Sequence, residues 1–215
     1  MKQCIKKPIP EVFAAIDALS LAVDAHISGD SKLAAQLFER ANSKEAWQWL
    51  DRPWIDCHIN VVHWKVEGDT STLPSRERDP DRNIRKAIRD AVLARDGYRC
   101  RYCGLPVISA DVRKLAHRLY PNAVPWVPAD TKQQHAGFQV SWLQFDHVVP
   151  HSHGGRSSEE NVVISCALCN FGKFNYTLKQ LDIEDPRLRP PESSEFDGLT
   201  RLLNFAPPRK DHPIT

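Results

Sequence analysis

Two C-x-x-C pairs constrain this chain more than any other feature: Cys100-Arg101-Tyr102-Cys103 and Cys166-Ala167-Leu168-Cys169. A C-x-x-C turn puts two sulfurs on one side of a single ion, and two such turns complete a tetrahedral thiolate site. The fold must therefore bring segments far apart in sequence to one point. Six cysteines could instead form disulfides, but the pairing in four of them favours a structural zinc. A site with four protein ligands has no open position, so that zinc would brace the fold and take no part in catalysis. Cys4 and Cys57 are read as ordinary thiols.

The second pair closes a stretch that carries chemistry, Asp146 to Asn170, DHVVPHSHGGRSSEENVVISCALCN. It opens on an adjacent carboxylate and imidazole, Asp146-His147. At a strand end such a pair can straddle one site, with the carboxylate gripping a hard cation and a neutral imidazole addressing the water beside it. Pro150 ends the first strand, Gly154-Gly155 forces a turn, and Asn161 opens the β-branched run Val162-Val163-Ile164 that leads into Cys166. Two strands joined by this loop, then a helix starting near Asn170, predict a ββα unit with the cysteine knuckle at its base. The fold class expected is α+β.

Three regions surround this unit. Residues 1–75 form a helical, Trp-rich N-terminal region. Val12, Phe13, Ile16 and Leu19 mark one helix, and Asp30 or Ser31 caps the next. The tryptophans and histidines of residues 47–66 are read either as a base-stacking or partner-binding surface or as a packed core. Residues 68–83, rich in charge, Pro and Gly, are read as an exposed linker, so that residues 76–185 form the second domain. From Arg76 to Arg101, nine Arg and Lys stand against five Asp and Glu. Arg82, Arg85, Lys86 and Arg89 are placed on a basic helix that follows a phosphate backbone or is simply solvated. Residues 104–145 are an insertion with a short helix at 111–120 and strand-like alternation at Phe138, Val140 and Trp142. Its His117 and His135 are isolated. A helix is expected to continue from Phe171 to Leu181. Residues 186–215 are a Pro-rich tail whose Phe196, Leu199 and Leu202 dock on the body, before a loose end.

A net charge of +2 does not by itself mark a nucleic-acid binder, so that inference rests on where the charges sit. No apolar run of transmembrane length exists, and the start of the chain lacks a signal-peptide core. A cytoplasmic protein with no membrane partner is expected.

The pattern C-x-x-C, then D-H-x-x-P-x-x-x-G-G, then E-N-x-x-x-x-C-x-x-C-N-x-x-K resembles the HNH endonuclease family, with its ββα-metal fold, over residues 82 to about 181. The resemblance implies a metal-dependent endonuclease that hydrolyses DNA and leaves 5′-phosphate ends. His147 is then the general base, Asp146 a ligand of the catalytic ion, and Asn161 the residue that braces the loop carrying the base. Asn170 stands where many members have His. Members with Asn there, such as phage junction-resolving endonucleases, use its side-chain oxygen as a ligand, which favours Mg2+ or Mn2+. Cys100, Cys103, Cys166 and Cys169 are the structural zinc ligands. His153, Lys173, Arg85 and Arg89 are the expected phosphate contacts. Two alternatives stay open: a zinc-knuckle nucleic-acid-binding module without catalysis, and a nuclease directed at RNA. The N-terminal region is a candidate surface for a protein partner or for self-association.

Overall fold

A computed structural model of the protein describes residues 1–50, 71–128 and 130–205. Trp54, Trp64, His58, His63 and Cys57, with the loose end of the tail, lie outside the described residues. No helix among the described residues is long and apolar enough to cross a membrane.

Helix α1 (Pro10–Ile27) begins with proline at its first turn, where the missing N–H would have no partner, and with Glu11 against the positive end of the helix dipole. Gly29, at φ 89°, stops it. Asp30 then accepts from Leu33 N at 2.9 Å and starts α2 (Ser31–Ala41). Residues 44–50 are helical again. There Trp49 is buried and its indole donates to the Lys7 carbonyl at 2.8 Å, so this tryptophan is a core residue.

The basic helix is shorter than expected. It runs as α3 from Lys86 to Asp96, and Arg85 at its N-cap makes no capping bond. Arg82 precedes the helix, in irregular backbone. The helix is pinned by its last residue. Asp96 is buried, receives both Arg95 Nε and NH2 on its two oxygens at 2.7 and 2.8 Å, and accepts from Ile164 N at 3.0 Å. Arg95 also donates to the carbonyls of Glu159 and Val162. A carboxylate this deep is tolerable because every oxygen has a partner.

In the insertion, Ser109 caps α4 (Ala110–Leu119). The alternating Phe138 and Val140 prove to be helical, in α5 (Ala136–Val140). His135 caps that helix, and Gly137 fits where a Cβ would lie 2.7 Å from the Ala41 carbonyl. His117 and His135 are both committed to backbone carbonyls, of Val124 and Phe38.

The sheet has two antiparallel strands, β1 (Leu143–His147) and β2 (Val162–Cys166), with Asp146 opposite Val163 and His147 opposite Val162. Helix α6 (Ala167–Lys173) follows directly. It does not continue to Leu181, because Phe174 turns to φ 50°, ψ −128°. The cysteine knuckle lies along the free edge of β2, where Arg101 N donates to the Ile164 carbonyl at 2.8 Å.

Two apolar clusters fill the interior. One gathers the sheet, the knuckle and α6 around Val12, Ala15 and Ile16 of α1. The other joins Leu19 and Val23 of α1 to Phe38, Leu115, Phe138, Leu199 and Leu202. Helix α1 therefore belongs to both, and the C-terminal residues Leu199 and Leu202 are fully buried.

Candidate active site

The four cysteines converge. Their sulfurs all lie within 4.8 Å of one another, and Cys103 Sγ is 3.7 Å from Cys166 Sγ. An ion bound to four thiolates at 2.3 Å sets sulfurs about 3.8 Å apart, so the cluster has the dimensions of a tetrahedral zinc site. The first pair is shaped by a tight turn: Gly104, at φ 73°, donates to the Cys100 carbonyl and Cys100 N to the Leu105 carbonyl. Burial alone would raise the Cys100 thiol, but hydrogen bonds from the other three pull it well below its ordinary value, while Cys103 and Cys169 are pushed up. All four thiols of such a group can lose their protons to solvent together only when a cation takes their place.

Asp146, His147 and Asn170 line one cleft of about 580 Å3, at the end of β1 and along α6. The helix follows β2 without a loop, which brings Asn170 beside the end of β1. The second link in this geometry is Asn161. Its Oδ1 accepts from Val149 N at 2.9 Å, and its Nδ2 donates to the carbonyls of Val149 and Arg156, both at 3.0 Å. These three bonds tie both ends of the loop that begins at His147. Gly155 is part of the same fit, since a Cβ there would lie 1.8 Å from the Val149 carbonyl.

His147 Nε2 lies 2.9 Å from Ser157 Oγ, and Ser157 donates its own proton to the Arg82 carbonyl at 3.0 Å. The serine must then accept from the ring, which puts the proton on Nε2 and leaves Nδ1 with its lone pair. Burial first, then the positive charges of Lys173, His151 and Arg82, bring the pKa of His147 down to about 4. The ring is neutral at physiological pH.

Asp146 is buried. Tyr102 Oη donates to its Oδ2 at 2.6 Å, and Lys173 Nζ stands 3.2 Å from its Oδ1. Burial raises its pKa against the opposing pull of Lys173 and Tyr102. Tyr102, inside the first C-x-x-C, thus links the knuckle to this carboxylate. Oxygen donors from Asp146 and Asn170 on one cleft suit a hard divalent ion, and the carboxylate keeps lone pairs beyond the two bonds it accepts.

Of the expected phosphate contacts, Lys173 lines the cleft and the other three do not. Lys173 is only 1% exposed, and its ammonium is spent on Asp146 and on the His147 carbonyl at 3.0 Å. Arg85 pairs with Asp81, and neither it nor Arg89 nor His153 lines the cleft. The cleft's cations near the surface are Arg78 and Arg82, with His151 beside them. Both arginines come from the stretch 68–83 read as an exposed linker, described from residue 71 onward. That stretch is a strap tied to the loop, with Leu73 N donating to the Ser152 carbonyl at 2.8 Å and His151 Nε2 to the Asp79 carbonyl at 2.7 Å. The sequence singles out Arg82 as part of a basic segment but not Ser157, Tyr102 or Arg78. Only the density of arginine around position 80 pointed toward any of them.

Neither the curated proteins nor the solved structures returned a match to this chain. Residues 134–175 match the family model described as HNH endonuclease, a span that holds both strands, the loop, Asp146, His147, Asn161 and Asn170. That match falls on the ββα unit, so residues 134–175 are similar to HNH endonuclease domains, and they stand beside a four-cysteine cluster fit for zinc.

Proposed function

We propose that the protein is a metal-dependent endonuclease that hydrolyses phosphodiester bonds in DNA. The observation that carries the reading is a single cleft into which Asp146, His147 and Asn170 all face. His147 Nδ1 takes the proton of the attacking water, while the Nε2–H bond to Ser157 keeps the ring in that tautomer and orientation. Asn161 holds the loop on which Ser157 and the cleft wall are carried. Asp146 and Asn170 would hold the divalent ion. Once bound, that ion offsets charge on the phosphate and on the departing 3′ oxygen. Tyr102 and Lys173 keep the Asp146 carboxylate in place. The four cysteines hold zinc and bear on fold alone.

The test is a nicking assay on plasmid DNA, with an RNA of matched length beside it, in Mg2+ or Mn2+ and in EDTA. Cleavage of DNA with either ion, abolished by EDTA, is the expected result. Cleavage of RNA alone would move the substrate. Binding without cleavage of either would leave a zinc-braced nucleic-acid-binding module.

A further inference from the structure

The cleft holds more than the reaction described above uses. Phe145, Phe171 and Phe174 line it together with Arg78 and Arg82. Phe145 lies two residues before His147, on the same face of β1. Phe171 directly follows Asn170. Phe174 is the unusual member. It is 45% exposed and sits at φ 50°, ψ −128°. A bulky side chain on that backbone is strained, and strain of this kind is kept where the surroundings or the function demand it.

We infer that Phe174, with Phe171 and Phe145, is a base-stacking platform, and that the substrate is DNA with an unpaired base beside the scissile phosphate. The inference rests on the nuclease reading and names the substrate class for it. In a continuous duplex each base face is covered by its neighbours, so an aromatic side chain can stack only on a base that is single-stranded, at a branch or turned out. Aromatic rings interleaved with guanidinium groups are the chemistry that grips a single strand, the rings taking bases and the arginines taking phosphates. Arg78 and Arg82 supply the second half. Arg78 is steadied by bonds to the Leu73 carbonyl and Thr72 Oγ1, and Arg82 is held by its own carbonyl to Ser157, next to His147. The strap that carries them is fixed to the loop at both Leu73 and Asp79, so the two cations are positioned before substrate arrives.

The test uses one labelled sequence presented as a single strand, as a forked junction and as a full duplex. Cleavage is measured in Mn2+ and binding by fluorescence anisotropy in EDTA. The single strand and the fork should be cut and bound at least about 10-fold better than the duplex. Phe174→Ala should lower both on the unpaired substrates by about 5- to 150-fold, the loss of one base–aromatic stack, and leave the duplex within about twofold. Phe174→Trp should restore them. Equal handling of duplex and single strand by the wild type, or an equal or absent effect of Phe174→Ala on both, overturns the platform. If nothing is cut but Phe174→Ala still weakens single-strand binding, the nuclease reading fails and the platform stands. If everything is cut without discrimination, the reverse holds.

Discussion

Replacing Asn161 with alanine isolates what holds the catalytic loop. The side chain is buried and makes three hydrogen bonds, to Val149 N, the Val149 carbonyl and the Arg156 carbonyl. Each bond contributes about 0.5–1.5 kcal/mol. The expected loss is about 3 kcal/mol. In a chain of 215 residues, 1 kcal/mol moves the midpoint by about 2–4 °C, so Tm should fall by about 6–12 °C. Asn161→Asp keeps the acceptor for Val149 N but turns a second oxygen toward two carbonyls, so it should be no better than alanine. Thermal unfolding by circular dichroism gives the shift, and nicking below the transition gives activity. Both should fall, because the loop that carries Ser157 also orients His147. A Tm within about 2 °C of wild type together with lost cleavage would refute the brace, since Asn161 would then act on the reacting groups themselves.

Three further outcomes follow from other parts of the structure. Metal analysis should find about one zinc per chain, and Cys166→Ser or a strong chelator should unfold the sheet and knuckle. Binding of a structural zinc is worth about 10–16 kcal/mol, as much as the whole stability of a domain, so a folded metal-free protein would exclude the site. His135 donates from Nε2 to the Phe38 carbonyl and accepts at Nδ1 from Phe138 N, and burial lowers its pKa to about 4. The unfolded chain binds the extra proton near pH 6.5, so stability from this group is full above that value and falls as pH drops toward 4, by up to about 3 kcal/mol. His135→Gln should flatten urea midpoints across that window, and an unchanged slope would count against the shift. Phe174→Gly should be no less stable than wild type, because relief of about 1–2 kcal/mol of backbone strain offsets about 0.5–1 kcal/mol of glycine entropy. A loss above about 1 kcal/mol in chemical denaturation would show that Phe174 packs after all.

What the sequence revealed and what it hid divide along the range of the interactions. The cysteine pairs, the turn at Gly154-Gly155 and the run Val162–Ile164 are local signals, and the ββα unit follows from them. Asp30 as a cap is equally local. The strap is different. Residues 68–83 have no apolar period and read as solvent, yet from residue 71 onward a backbone bond from Leu73 to Ser152 and a side-chain bond from the His151 ring to Asp79 lay them across the cleft. Loop-to-loop pairing of this kind leaves no pattern in either segment. Lys173 is a second case: a lysine is expected at the surface, and only the buried Asp146 on another element draws its ammonium inside. At Phe138 and Val140 a two-residue alternation suggested a strand, but the cap at His135 and the close approach at Gly137 settle a helix. The end of α6 falls short of Leu181 because Phe174 takes a positive-φ backbone, which a non-glycine residue does not announce in sequence.

The central claim is that His147 is the base in a working cleft, and His147→Ala tests it most directly. The variant should keep its fold by circular dichroism and its zinc by metal analysis, since the ring's bond to Ser157 is only one of several that hold the loop. Its cleavage of DNA in Mn2+ should fall by about 100-fold or more, the contribution of a positioned general base. Cleavage at the wild-type rate, with fold and zinc intact, would contradict the account.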